Sequence, residues 1–144
     1  MTSNGNVASA WGELTRGSFT LTDGEVLVDE YFSLPGEPEL MVRTTDPVAA
    51  AALLPRLEAF FTDRGRWHRR ATDAVVTRFS DEAPTPGELD DAEGDLVLQT
   101  VEVLADGDVV LHLDDSCGQH FPDGYWPAVR FGRDDVVVEV TVEA

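Results

Sequence analysis

The chain has 144 residues and carries 28 acidic side chains against 10 basic ones, all arginine, for a formal net charge of −18. That length suffices for one domain with its own core, and the charge disfavours nucleic acid and anionic lipid while attracting cationic proteins and divalent ions. The single cysteine, Cys117, excludes an internal disulfide and a paired-thiol zinc site.

Residues 1–9 are small and polar without periodicity, which predicts a disordered tail ahead of a single domain over 10–144. Residues 1–8 lack the basic start and apolar middle of a signal peptide, and no segment has the apolar length of a membrane span. A cytoplasmic location with no membrane partner is expected. Phe19 and Leu21 share a face, the chain turns at Asp23-Gly24 and returns from Glu25 to Phe32 with Val26 and Val28 inward, a predicted hairpin. A loop rich in turn residues follows over 34–38, then a short strand over 40–44.

Asp46-Pro47 reads as a helix start, an N-cap acceptor followed by a proline whose missing N–H is harmless at the first position. Leu53, Leu57, Phe60 and Phe61 continue at helical spacing, predicting a helix over about 46–62 with a kink or break at Pro55. Gly65 reads as a left-handed stop, and the stripe Trp67, Ala71, Val75 and Phe79 predicts a second helix over 66–79. Residues 80–94 read as a solvated acidic connector, in which Thr85 caps a short turn through Leu89.

From residue 96 the period changes to two. Residues 96–104 start apolar on both faces and then alternate, a central strand with a bulge near Gln99. Val109, Leu111 and Leu113 fall on one face, with Val110, His112 and Asp114 on the other. Asp106-Gly107 between these runs signals a type I′ hairpin, whose two central residues need positive φ. Residues 126–131 supply another strand, and a last one places Val136, Val138, Val140 and Val142 inward. The expected fold class is therefore α+β: an antiparallel sheet of about six to seven strands with both helices packed on one face.

Charge is uneven along the chain. Residues 1–79 hold 11 acids and 8 arginines, a net of −3, whereas 80–144 hold 17 acids and 2 arginines, a net of −15. Arg56, Arg64, Arg66, Arg69, Arg70 and Arg78 gather in the helical region, either as a phosphate-binding patch or as the solvated faces of two amphipathic helices. The field of the remaining chain favours the second reading, so no nucleic-acid partner is expected.

Residues 114–124 form the polar stretch richest in chemistry, joining carboxylates, a thiol and an imidazole. His112, Asp114, Cys117 and His120 are ligand types for zinc or another divalent ion, while Cys117 and His120 are also the parts of a nucleophilic pair. Their spacing matches no established zinc signature, the stretch lacks the regular oxygen ligands of an EF-hand, and Asp and Gly equally serve simply to make turns. His112 reads as solvated or partly covered, and His68 as lying on the arginine-rich side of its helix. Tyr125 and Trp126 are either core packing at a strand start or an aromatic anchor rimmed by Asp114, Asp115 and Asp123. P-loop, dinucleotide fingerprint, nucleophile elbow and metalloprotease helix motifs are all missing, so no cofactor is expected and the reading leans away from an enzyme.

The connector Thr85-Pro86-Gly87-Glu88-Leu89, the strand pair around Asp106-Gly107, and Asp114-Asp115 followed by His120 and two strands together resemble a bacterial family of small acidic domains of unknown function. The resemblance spans about residues 17–142 and implies an α+β fold without implying a reaction. Gly118-Gln119 precedes His120 where the family pattern has an aromatic residue and then a glycine directly before the histidine. In size, acidity and architecture the chain also resembles immunity proteins of bacterial toxin systems, which occupy the active site of a basic toxin.

The function expected from the sequence is a non-catalytic, cytoplasmic domain that binds a basic protein through Asp114, Asp115, Asp123, Tyr125 and Trp126. The alternative is a metal-binding protein or metal-dependent enzyme using His112, Asp114, Cys117 and His120.

Overall fold

The computed structural model describes residues 6–144, apart from the side chain of Phe19. In chain order the elements are β1 (Val7–Ser9), β2 (Gly12–Leu14), β3 (Ser18–Thr20), β4 (Val26–Val28), β5 (Phe32–Leu34), β6 (Glu39–Val42), α1 (Pro47–Thr62), α2 (Arg64–Phe79), α3 (Pro86–Asp95), β7 (Leu96–Val103), β8 (Val109–Asp115), β9 (Trp126–Phe131) and β10 (Val137–Glu143). The protein is α+β, as expected.

Six strands form the main sheet in the order β10-β9-β8-β7-β6-β5. Every pair is antiparallel except β6 and β7, which run parallel from Glu39 beside Thr100 to Val42 beside Val103. This corrects the expectation of a wholly antiparallel sheet. A parallel pair requires a long crossover, and all three helices lie in the segment joining β6 to β7.

The helices cover one face of that sheet. Leu98, Val101, Val103, Val109, Leu111, Leu113, Val129 and Phe131 point toward them and are buried with Leu57, Phe60, Trp67, Ala71 and Val75. Trp67 sits with its ring 4.8 Å from that of Phe131. Truncating one such fully buried side chain to alanine costs about 2–5 kcal/mol. Among the described residues no helix lies on the opposite face, which carries Thr100, Glu102, His112 and Trp126.

Asp46 caps α1 by accepting from the Val48 N–H at 3.1 Å. The helix runs through Pro55 without the predicted break; Ala51 and Pro55 are both exposed, so the carbonyl that proline cannot bond faces water. The chain breaks instead at Asp63, whose φ and ψ of −136° and 37° leave the helical region, and Gly65 lies inside α2 rather than ending a helix.

α3 is the third helix where the sequence predicted a solvated connector. A reciprocal capping box starts it, Thr85 Oγ1 accepting from the Glu88 N–H and Glu88 Oε1 from the Thr85 N–H, each at 3.2 Å. Arg69 then ties it to α2 by bonding Asp90 and Glu93 at 2.9 and 2.8 Å while also holding Asp73. These three carboxylates push the Arg69 guanidinium above its ordinary pKa, Asp90 most strongly.

The tail predicted over 1–9 is also corrected in its described part. Val7–Ser9 pairs with Gly12–Leu14, Val7 and Leu14 are buried, and Trp11 packs on Phe61 with ring centroids 4.9 Å apart. Residues 1–5 lie outside the described residues. The hairpin of β3 and β4 stands as a separate two-stranded sheet and leaves Val26 and Val28 exposed rather than inward.

Three hairpin turns share one hydrogen-bond pattern. Leu21, Leu104 and Gly132 each accept from the N–H three residues on and donate to the carbonyl four residues on. The fourth position of each turn is left-handed, at Gly24 (φ 91°), Gly107 (φ 92°) and Asp135 (φ 65°). Asp106 has no positive φ, so the second turn is a three-residue loop with a bulge rather than type I′. Arg56 of α1 joins the two turns at one end of the sheet, donating to the Gly107 and Gly132 carbonyls and to Asp135 Oδ1.

The bulge expected at Gln99 is present between Leu98 and Thr100. A second bulge lies between Val137 and Glu139, and the inward valine set holds only at Val140: Val140 packs on the core together with Val137, whereas Val136, Val138 and Val142 are exposed.

Candidate functional site

Two concave regions lie on opposite sides of the sheet. The first is a cleft of about 500 Å³ between α2, α3 and the loop after β8. Val75, Phe79 and Phe121 supply apolar lining, and Glu88, Asp91 and Asp95 supply carboxylates. Phe79, predicted as part of the buried helix stripe, is 49% exposed here and meets Phe121 edge-on at 5.8 Å.

Asp115 shapes the loop that closes this cleft. Its Oδ2 accepts from the His120 and Phe121 N–H groups at 2.8 and 2.9 Å, and its Oδ1 from the Cys117 thiol at 3.3 Å. Burial pushes the Asp115 carboxyl up, yet the bonds from Phe121, His120 and Cys117 outweigh it and hold the group below its ordinary pKa. Ser116 fastens the loop to the end of α3, its N–H and hydroxyl donating to the Asp95 carbonyl at 2.9 and 2.7 Å. His120 Nε2 completes the closure 3.1 Å from Asp95 Oδ2.

This arrangement brings Asp95, Cys117 and His120 together, their donor atoms all within 4.8 Å of one another. Cys117 and His120 therefore converge as the metal reading expected, but with Asp95 rather than with His112 and Asp114. As a nucleophile Cys117 is poorly placed. The Gln119 N–H favours its thiolate, but slight desolvation of this exposed group, its bond to Asp115 and the Asp115 and Asp95 charges prevail and raise the thiol above its ordinary pKa.

The second region is a groove of about 520 Å³ on the open sheet face, lined among others by Arg43, Thr100, Glu102, His112 and Trp126. Glu102 is only 6% exposed. Its two oxygens bond His112 Nε2, at 2.8 Å, and Arg43 Nε. Burial raises the Glu102 carboxyl, whereas the His112 and Arg43 bonds lower it further, leaving it below its ordinary value. Trp126 Nε1 donates to His112 Nδ1 at 3.0 Å. Both ring nitrogens and both carboxylate oxygens thus have partners, and the bonds tie the strands together across this face. Among the described residues no buried side-chain polar atom lacks a partner.

The sequence-predicted anchors do not gather in either region, and of the five only Trp126 lines one of them. Asp114 and Trp126 share the open face with His112, Asp115 is folded into the loop, and Asp123 and Tyr125 are exposed in the segment between β8 and β9. Glu88 and Asp91 escaped the reading because they belonged to the segment 80–94, read as a solvent-facing connector, and Asp95 because it fell between that connector and the strand read from residue 96. Glu102 escaped it because nothing local marks a buried carboxylate. His68 is not simply solvated, its Nε2 lying 2.6 Å from the Leu96 carbonyl oxygen. The arginine cluster is dispersed: Arg56 and Arg69 join elements, Arg66 lies 3.6 Å from Asp63, and Arg70 and Arg78 stack over Phe131 and Phe79.

No family model, curated protein or solved structure gives a significant match to this chain. Among the described residues no helix is long and apolar enough to cross a membrane.

Proposed function

We propose that the protein is a non-catalytic cytoplasmic binding module for a basic protein, with the cleft between α2, α3 and the 116–121 loop as its docking site. The observation that carries this reading is the juxtaposition of an apolar lining, Val75, Phe79 and Phe121, with the carboxylates of Glu88, Asp91 and Asp95. An arginine or lysine of the partner fits both parts, its aliphatic stem on the rings and its charge among the carboxylates. The net of −15 over residues 80–144 supplies long-range steering toward a basic surface.

Within this class we favour an immunity protein that neutralises a basic toxin, a narrower reading supported by size, acidity and the resemblance of the chain to such proteins. In this reading the cleft residues are the principal contacts in place of Asp114, Asp115, Asp123, Tyr125 and Trp126, a choice supported by the bonds that tie Asp115 to its loop and Trp126 to His112.

The test compares the wild-type protein with a Glu88→Gln/Asp91→Asn variant in affinity capture from the native cell lysate at low salt, followed by a high-salt wash. A basic protein retained by the wild type, released by salt and lost by the variant is the expected result. Identical proteins captured by both forms would remove the cleft from the binding surface. An association rate indifferent to salt would remove the steering mechanism.

A further inference from the structure

We propose that Asp95, Cys117 and His120 form a binding site for one divalent transition-metal ion of the zinc type. The inference goes beyond the protein-binding reading and rests on different residues from the Glu88 and Asp91 pair that tests it.

The donor set is the first argument. A carboxylate oxygen, a thiolate sulfur and an imidazole nitrogen suit zinc and its neighbours, whereas calcium and magnesium call for oxygen ligands throughout. Geometry is the second. His120 Nε2 and Asp95 Oδ2 are already 3.1 Å apart, and the cysteine sulfur lies within 4.8 Å of both. Metal–ligand bonds of about 2.0–2.3 Å in a tetrahedron separate the donors by roughly 3.3–3.7 Å, so closure around an ion takes a shift of roughly 1 Å in an exposed cysteine.

Clamps that do not use the metal-binding atoms of Asp95 and His120 supply the third argument. The Asp95 carbonyl takes two bonds from Ser116, and Asp115 takes the backbone N–H groups of His120 and Phe121. Loop and helix end are therefore joined before any ion arrives, which lowers the ordering cost of binding. Two contacts are given up when the ion binds: the thiol bond to Asp115, as the sulfur turns to the metal and its proton passes to solvent, and the His120 Nε2–Asp95 Oδ2 hydrogen bond, whose two atoms both turn to the ion. Three protein ligands leave one tetrahedral position for water or an outside group. Asp95 and His120 both line the cleft, which can supply it.

The experiment is calorimetric titration of chelator-stripped protein with zinc, paired with absorption spectra on adding cobalt(II). One equivalent of zinc and a sulfur-to-cobalt charge-transfer band are expected, and Cys117→Ser and His120→Ala should each weaken zinc binding by about tenfold or more. Both side chains are exposed, so both variants should retain the wild-type circular dichroism spectrum. In the unaltered protein, zinc should also slow alkylation of Cys117 by iodoacetamide. Zinc binding that survives both substitutions, or a cobalt complex without the thiolate band, would overturn the site. The Glu88→Gln/Asp91→Asn variant should keep the single equivalent, so that loss of partner binding and loss of metal binding are read separately.

Discussion

The Trp126 indole N–H donates to His112 Nδ1 at 3.0 Å, and this one bond decides what the histidine presents to Glu102. An indole nitrogen can only donate, so Nδ1 accepts and the ring proton sits on Nε2, directed at Glu102 Oε1 2.8 Å away. The aromatic residue that the sequence marked as a surface anchor is thereby the end of a chain running Trp126, His112, Glu102, Arg43 across three strands of the open face and the end of a fourth.

Replacing Trp126 by phenylalanine keeps an aromatic side chain, with a smaller ring, and removes the donor. The expected destabilisation is about 1–2 kcal/mol, the usual effect of leaving one polar atom without its partner. Urea denaturation of the variant measures it, and an unchanged midpoint would mean that the chain of bonds ends at His112.

Glu102 has a pH signature. Its folded pKa lies below the ordinary 4.5 because the His112 and Arg43 bonds outweigh burial. A depressed carboxyl pKa contributes stability that is full above the unfolded value and is lost as pH falls through the folded one. The stability difference between the wild type and Glu102→Gln should therefore be constant near neutrality and narrow below about 4.5. Denaturation curves of both proteins over that range check the sign.

One substitution should act with opposite signs at two glycines. Gly107 has a φ of 92° and its added Cβ would meet only ordinary contacts with Arg133, so Gly107→Ala should cost about 1–2 kcal/mol through backbone strain alone. Gly65 is helical with nothing within 4 Å of an added Cβ, so Gly65→Ala should stabilise by about 0.5–1 kcal/mol. Thermal melts of the two variants provide the comparison.

Arg69 is the fastener of α3. Changing it to methionine keeps much of the stem and removes the bonds to Asp90 and Glu93. Amide hydrogen exchange within α3 should accelerate while that of β8 stays slow, since the sheet does not depend on those bonds. Uniform exchange across both elements would place α3 in the same cooperative unit as the sheet.

Much of the secondary structure was legible because periodicity is a local property. Val109, Leu111 and Leu113 marked a strand face, Asp46-Pro47 marked a helix start, and the bulge at Gln99 followed from where alternation slipped. α3 was hidden because a short acidic segment with only Leu89 and Ala92 toward the protein has almost no apolar stripe. Its anchors are Arg69 from another helix and a capping box of two bonds.

Composition and pattern by themselves determined the α+β class, the acidic C-terminal half and the chemistry-bearing loop around Cys117 and His120. Tertiary structure alone decided that β6 and β7 run parallel, that Asp95 rather than His112 faces that loop, and that Glu102 is buried against His112. The physical reason is distance along the chain. Strand alternation acts between near neighbours, whereas these pairings join residues separated by a helical crossover or by strand register, and only the closed sheet brings them within bonding range.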